Sequence, residues 1–143
     1  MLFRSGIATF TNLTLAGTVG TSYKLNFTST GLTGVSSSSI TVTYGTASQL
    51  AITTAPVLSS SGSLMATQPV ITIQDAQGNT VANSTATVTI TKSGGTLGGT
   101  QASGGIAAVA GVATFTNLTF TGSLSTNYTF SFRSEEQRLN SSH

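Results

Sequence analysis

Through much of this chain, apolar residues fall on every second position. In SQLAITTA, Leu50 and Ile52 alternate with polar or small neighbours; Ile71 and Ile73 do so in QPVITIQ, and Val88 and Ile90 in TATVTIT. Tyr23, Leu25 and Phe27 in SYKLNF, Ile40 and Val42 in SSITVTY, and Tyr128, Phe130 and Phe132 in NYTFSF follow the same rule. A period of two gives a strand one face for a core and one for water, as in antiparallel sheets. The stretches between them, DAQGN (75–79), SGGTLGG (93–99) and SGG (103–105), read as Gly-rich turns. Short strands spaced by roughly ten residues or a little more predict an all-β chain built as a sandwich.

Composition strengthens that reading. Of 143 residues, 49 are Thr or Ser and 16 are Gly, while only 8 are charged. Thr, Val, Ile, Phe and Tyr favour strands, and Gly and Ser favour turns. Sustained runs of helix formers are absent.

The chain also repeats itself. GIATFTNLTLAG (6–17) returns as GVATFTNLTFTG (111–122), an offset of 105, and 12 of the 22 positions from Gly6–Phe27 are identical to those in Gly111–Phe132. Chance matches among threonines would not also align Phe10 with Phe115, Leu13 with Leu118, Tyr23 with Tyr128 and Phe27 with Phe132. The likeness fails outside this window. Residues 1–5 and 133–143 hold five of the eight charges (Arg4, Arg133, Glu135, Glu136 and Arg138) and are expected to be flanks of different origin. Ala113, Phe115 and Leu118 are placed to face a core, as are Phe10, Tyr128, Phe130 and Phe132.

The stretches QPVITIQDAQGNTVANSTATVTITKSGGTLGG (68–99) and AVAGVATFTNLTFTG (108–122) resemble the bacterial immunoglobulin-like repeats of invasin- and intimin-type surface adhesins. The likeness runs from Gly6 to Phe132. It implies an immunoglobulin-like antiparallel β-sandwich, with one nearly complete repeat preceded by the C-terminal strands of another. On that reading 1–5 is a non-repeat leader and 6–45 holds the last strands of a preceding repeat. Residues 46–132 form a repeat without its last strand, and 133–143 is a non-repeat charged tail. Unfinished sandwiches leave open strand edges, so a homo-oligomer formed by strand exchange or edge pairing is expected, with adjacent repeats of the same protein as natural partners. The function implied is a structural spacer or stalk module of a repetitive bacterial surface or secreted protein, extracellular, with its export signal outside this chain. A direct ligand-binding module, for a glycan or a host surface protein, is the alternative.

The inventory of reactive groups argues against an enzyme. The one histidine is His143, the acids are Asp75, Glu135 and Glu136, and there is no cysteine. A nucleophile needs a base beside it, and paired-acid chemistry needs two carboxylates at a controlled distance. No cofactor is expected. Asp75 is the one weak metal candidate, but calcium requires several oxygen ligands, and an Asx turn with Gly78 at positive φ accounts for DAQGN without one. The pI near 9.4 rests on five basic residues against three acids. Those five are too scattered for a nucleic-acid footprint, and no apolar run is long enough for membrane insertion as a helix.

Six of the seven asparagines (12, 26, 83, 117, 127 and 140) stand in N-x-S/T and are expected in turns and on exposed strands. Thr87, Thr89 and Thr91 share a strand face, as do the pairs Thr9/Thr11, Thr41/Thr43 and Thr114/Thr116. Such ladders raise ice binding as a distant third function, although sheet twist spoils a long flat array. Among the aromatics, Tyr44 alone looks free for a carbohydrate.

Overall fold

The computed structural model describes residues 2–4 and 6–135; the expectations for Glu136, Arg138, Asn140 and His143 lie outside the described residues. The chain divides into two compact units, residues 1–43 and 44–143. Among the described residues the elements are β-strands apart from one short helix, and every strand pairing is antiparallel.

The N-terminal unit holds β1 (Leu2–Arg4), β2 (Ile7–Thr9), β3 (Ser22–Tyr23), β4 (Asn26–Phe27), β5 (Val35–Ser36) and β6 (Ile40–Thr41). They form three short ladders, β1–β2, β3–β6 and β4–β5, with Tyr23 opposite Ile40 and Phe27 opposite Val35.

The C-terminal unit is larger. Its strands are β7 (Gln49–Thr54), β8 (Val70–Gln74), β9 (Thr87–Lys92), β10 (Thr96–Gly98), β11 (Ile106–Ala107), β12 (Val112–Thr114), β13 (Thr119–Thr121) and β14 (Phe130–Ser134). A single helical turn, α1 (Gln101–Gly104), precedes β11. One sheet runs β12-β8-β7, a second β11-β9-β14, and β10 and β13 form a ribbon. The registers put Leu50 opposite Ile73, Ala113 opposite Ile71, and Phe132 opposite Ile90. Both sheets feed one core. Ile71, Ile73 and Ala113 from the first meet Val88 and Ile90 from the second, with Phe115, Leu118, Phe120 and Met65 between them. This is sandwich-like packing, and it explains why the period-2 pattern is so regular here: each alternate side chain has the opposite sheet to bury against.

Four details depart from the sequence pattern. Ile52 was expected inward beside Leu50 but is 53% exposed. It lies on β7, which is an edge strand, just where the register shifts between Ile52 and Thr54. SGGTLGG is a turn only in its first half, since Leu97 pairs with Phe120 in the ribbon. The SGG of 103–105 ends α1 rather than forming a free turn. Finally, β14 runs two residues past Phe132, taking in Arg133 and Ser134, which pair with Thr89 and Val88.

Candidate functional site

The repeated stretch is the natural place to seek function, and in the C-terminal unit its residues are consumed by structure. Ala113, Phe115, Leu118 and Phe120 are all buried. The Phe115 N–H donates to the Pro69 carbonyl over 3.1 Å. The Gln68 side chain brackets Leu118: its Oε1 accepts from the Leu118 N–H and its Nε2 donates to the Leu118 carbonyl, both at 3.0 Å. Gln101 Oε1 accepts from the Thr116 N–H at 2.8 Å, and the Asn117 amide donates to the Thr100 hydroxyl. Backbone groups of Thr116 and Leu118 thus find partners in two glutamine side chains, and the Leu118 carbonyl also accepts the Met65 N–H at 3.0 Å. Neither Gln68 nor Gln101 was singled out from the sequence; nothing in their local pattern marks them, because each acts on a residue far along the chain.

A second feature recurs in both units. The Tyr128 hydroxyl accepts the Ser123 N–H at 2.7 Å, and the Tyr23 hydroxyl accepts the Thr18 N–H at 3.0 Å. Gly122 and Gly17 make room for these rings: a Cβ would lie 2.7 Å from Tyr128 in one and 2.6 Å from Tyr23 in the other. Backbone turns recur as well. Gly6 and Gly111 have φ of 74° and 76°, and Gly20 and Ser125 have 82° and 59°. Phe10 and Phe27 stack with ring centroids 5.4 Å apart, tilted, as Phe115 and Phe132 do at 5.9 Å.

What differs is cover. Phe10 is expected from the sequence to face a core, yet it is 47% exposed against 1% for Phe115, and Leu13, the counterpart of Leu118, is 61% exposed against 0%. Phe10, Leu13, Leu15, Leu25, Phe27 and Ile40 line an open groove of about 550 Å3. The difference lies in the surroundings: in the C-terminal unit the same residues lie against β8 and β9, and the described residues of the N-terminal unit form no such strands.

Asp75 is a turn anchor. Its Oδ1 accepts the N–H groups of Gln77 (3.0 Å) and Asn79 (2.9 Å), and its Oδ2 accepts that of Gly45 (2.8 Å) and the Asn79 amide (3.1 Å). Gly78 stands at φ 85°, as an Asx turn requires here. The Gly45 N–H is the main force lowering the carboxyl from its ordinary 3.8 to about 2; burial opposes it, and the Asn79 and Gln77 donors reinforce it. Donors occupy both oxygens, so positive charge reaches this carboxylate from N–H dipoles. Among the described residues, no three His, Cys, Asp or Glu side chains come together as a metal-holding group.

The remaining candidates are spread out. Thr89 and Thr91 turn their hydroxyls to the Arg133 and Ser131 carbonyls of the neighbouring strand, at 3.3 and 3.4 Å. Tyr44 is half-buried. Asn12, Asn26, Asn83 and Asn127 are exposed, whereas Asn117 is half-buried. Among the described residues, no helix is long and apolar enough to cross a membrane. Compared with protein families, curated proteins and solved structures, the chain matches none.

Proposed function

We propose that this chain is a segment of immunoglobulin-like β-sandwich modules that acts as a non-enzymatic spacer in a repetitive bacterial surface or secreted protein. One observation carries the proposal. At an offset of 105 residues the chain repeats the sequence together with the tyrosine-to-backbone bond, the glycine beneath the ring, the left-handed turns and the tilted phenylalanine pair. Sequence and geometry recurring together are the mark of a module used more than once. A tyrosine at the start of a strand whose hydroxyl bonds back to the backbone a few residues upstream is a hallmark of immunoglobulin-type sandwiches.

The spacer role follows from where the residues go. In the C-terminal unit the repeated signature is spent on a core and on satisfying backbone groups. Exposed strand positions such as Thr91, Thr114, Thr121 and Ser131 carry hydroxyls, which keep a strand solvated without charge. Length and stiffness are then what such a unit supplies, through ladder hydrogen bonds and a small apolar core. The test is a binding screen of the full chain against glycan arrays and extracellular-matrix proteins, beside single-molecule stretching. Silence in the screen together with cooperative unfolding of the C-terminal unit is expected. Saturable binding to a glycan or matrix protein would replace the spacer with a ligand-binding module.

A further inference from the structure

The two copies of the repeated stretch allow the chain to be compared with itself. In the C-terminal unit Phe115, Leu118, Phe120, Phe130 and Phe132 belong to a core closed by Ile71, Ile73, Val88 and Ile90. Their counterparts at an offset of 105 are Phe10, Leu13, Leu15, Leu25 and Phe27, the residues that line the open groove of the N-terminal unit. The internal phenylalanine pair has the same tilted arrangement in both. The groove is therefore the same apolar face, already shaped, with its cover missing.

The backbone adds an independent constraint. In the C-terminal unit the Thr129 carbonyl accepts from the Ser93 N–H at 3.0 Å, on the side of β9. In the N-terminal unit the Leu25 carbonyl accepts from the Ser37 N–H at 2.8 Å, on the side of β5. Leu25 corresponds to Phe130, and Lys24 to Thr129. Successive residues of a strand turn their backbone groups to opposite edges, so β5 occupies the edge opposite to the one β9 takes. Among the described residues no strand pairs with the edge formed by Lys24 and Asn26, whose counterpart β9 covers in the C-terminal unit.

We propose that the apolar face and open edge of residues 6–44 are a docking surface for a polypeptide with the strand pattern of residues 49–110: a half-module whose Val and Ile alternate with Ser and Thr. This rests on the reading of the chain as repeated β modules. The occupant is identified by the copy in which the face is covered. There, the partner side chains are Ile71, Ile73, Val88 and Ile90, and a strand like Thr87–Lys92 pairs with the edge. A flat aromatic ligand or a helix would fill the groove but leave the edge unpaired. A half-module satisfies both at once, by sheet-on-sheet packing and β-addition.

The test uses the full chain and, as probe, a separately made, fluorescently labelled polypeptide of residues 46–110. Saturable one-to-one binding is expected, with slowed amide exchange at Lys24 and Asn26. Replacing exposed apolar contacts by carboxylates (F10D/L13D) is expected to weaken binding at least about tenfold, while the urea midpoint of the C-terminal unit stays put. A probe carrying I71D/I73D is expected not to bind. Absence of binding by the unaltered chain overturns the proposal. So does binding that F10D/L13D leaves intact, which would place the probe elsewhere. Self-association of the chain that F10D/L13D dissolves but the probe does not displace also overturns it, because a different part of a second copy would then be the cover. None of these outcomes bears on the spacer reading, which fails separately, through binding in the glycan and matrix screen.

Discussion

Truncating Phe115 and Phe10 to alanine separates the two copies of the repeat energetically. Phe115 is 1% exposed and closed in by both sheets, with Phe132 5.9 Å away. Phe→Ala at such a site removes the transfer free energy of the ring and leaves a cavity, together about 3–5 kcal/mol. Phe10 is 47% exposed in an open groove. Its truncation forfeits roughly half of a burial worth about 1.5–3 kcal/mol, plus an aromatic contact with Phe27 worth about 0.5–1.5 kcal/mol, and opens no closed cavity. F10A is thus expected to cost about 1–3 kcal/mol, confined to the N-terminal unit. Urea unfolding of the full chain, followed by methyl NMR signals of Leu118 and Ile73, reads the C-terminal unit alone. With a slope of about 1.5 kcal/mol/M, F115A lowers its midpoint by about 2–3 M, and F10A leaves it in place. Equal shifts from the two variants, or a cost for F115A below about 1.5 kcal/mol, would refute the assignment of Phe115 to a closed core.

Three other outcomes follow from named contacts. Q68M keeps the bulk of the side chain but removes both bonds to the Leu118 backbone, so the C-terminal unit loses about 1–3 kcal/mol in a denaturant titration; an unchanged midpoint contradicts the clamp. G122A drives a Cβ into the Tyr128 and Phe120 rings, costing about 1–3 kcal/mol, and thermal melting should show a drop that G104A, with open space around it, does not. Asp75 binds fewer protons folded than unfolded between its ordinary 3.8 and its lowered value of about 2, so its contribution is fully present above about pH 4 and is lost as pH falls toward 2. Acid unfolding of D75N should lack that component and begin from a lower stability at neutral pH. A D75N acid profile superimposable on that of the unaltered chain would remove Asp75 from its role.

Much of the fold was legible because alternation and turn chemistry are local. Leu50, Ile71, Ile73, Val88 and Ile90 announce strands through their own neighbours, and the DAQGN turn through Asp75 and Gly78. The repeat likewise placed Ala113, Phe115 and Leu118 in a core. Legibility ended where a residue's fate depends on distant chain. Phe10 carries the same local sequence as Phe115, but burial is decided by whether strands like β8 and β9 lie opposite. Ile52 fits the pattern of an inward residue, but its strand is at an edge. Gln68 and Gln101 act on Leu118 and Thr116, 50 and 15 residues away, so no window around them reveals the role.

The claim that one stretch is used twice, closed in one unit and open in the other, is tested most directly by native-state hydrogen exchange on the full chain. The Phe115 and Leu118 amides donate to the Pro69 carbonyl and the Gln68 side chain inside a buried core. Such amides open only with most of their unit, and a unit stable by about 5 kcal/mol slows them more than a thousandfold. The amides of Phe10 and Leu13 are expected to exchange near the rate of unstructured chain. Protection of Phe10 and Leu13 comparable with that of Phe115 and Leu118 would show the N-terminal face already covered and contradict the account.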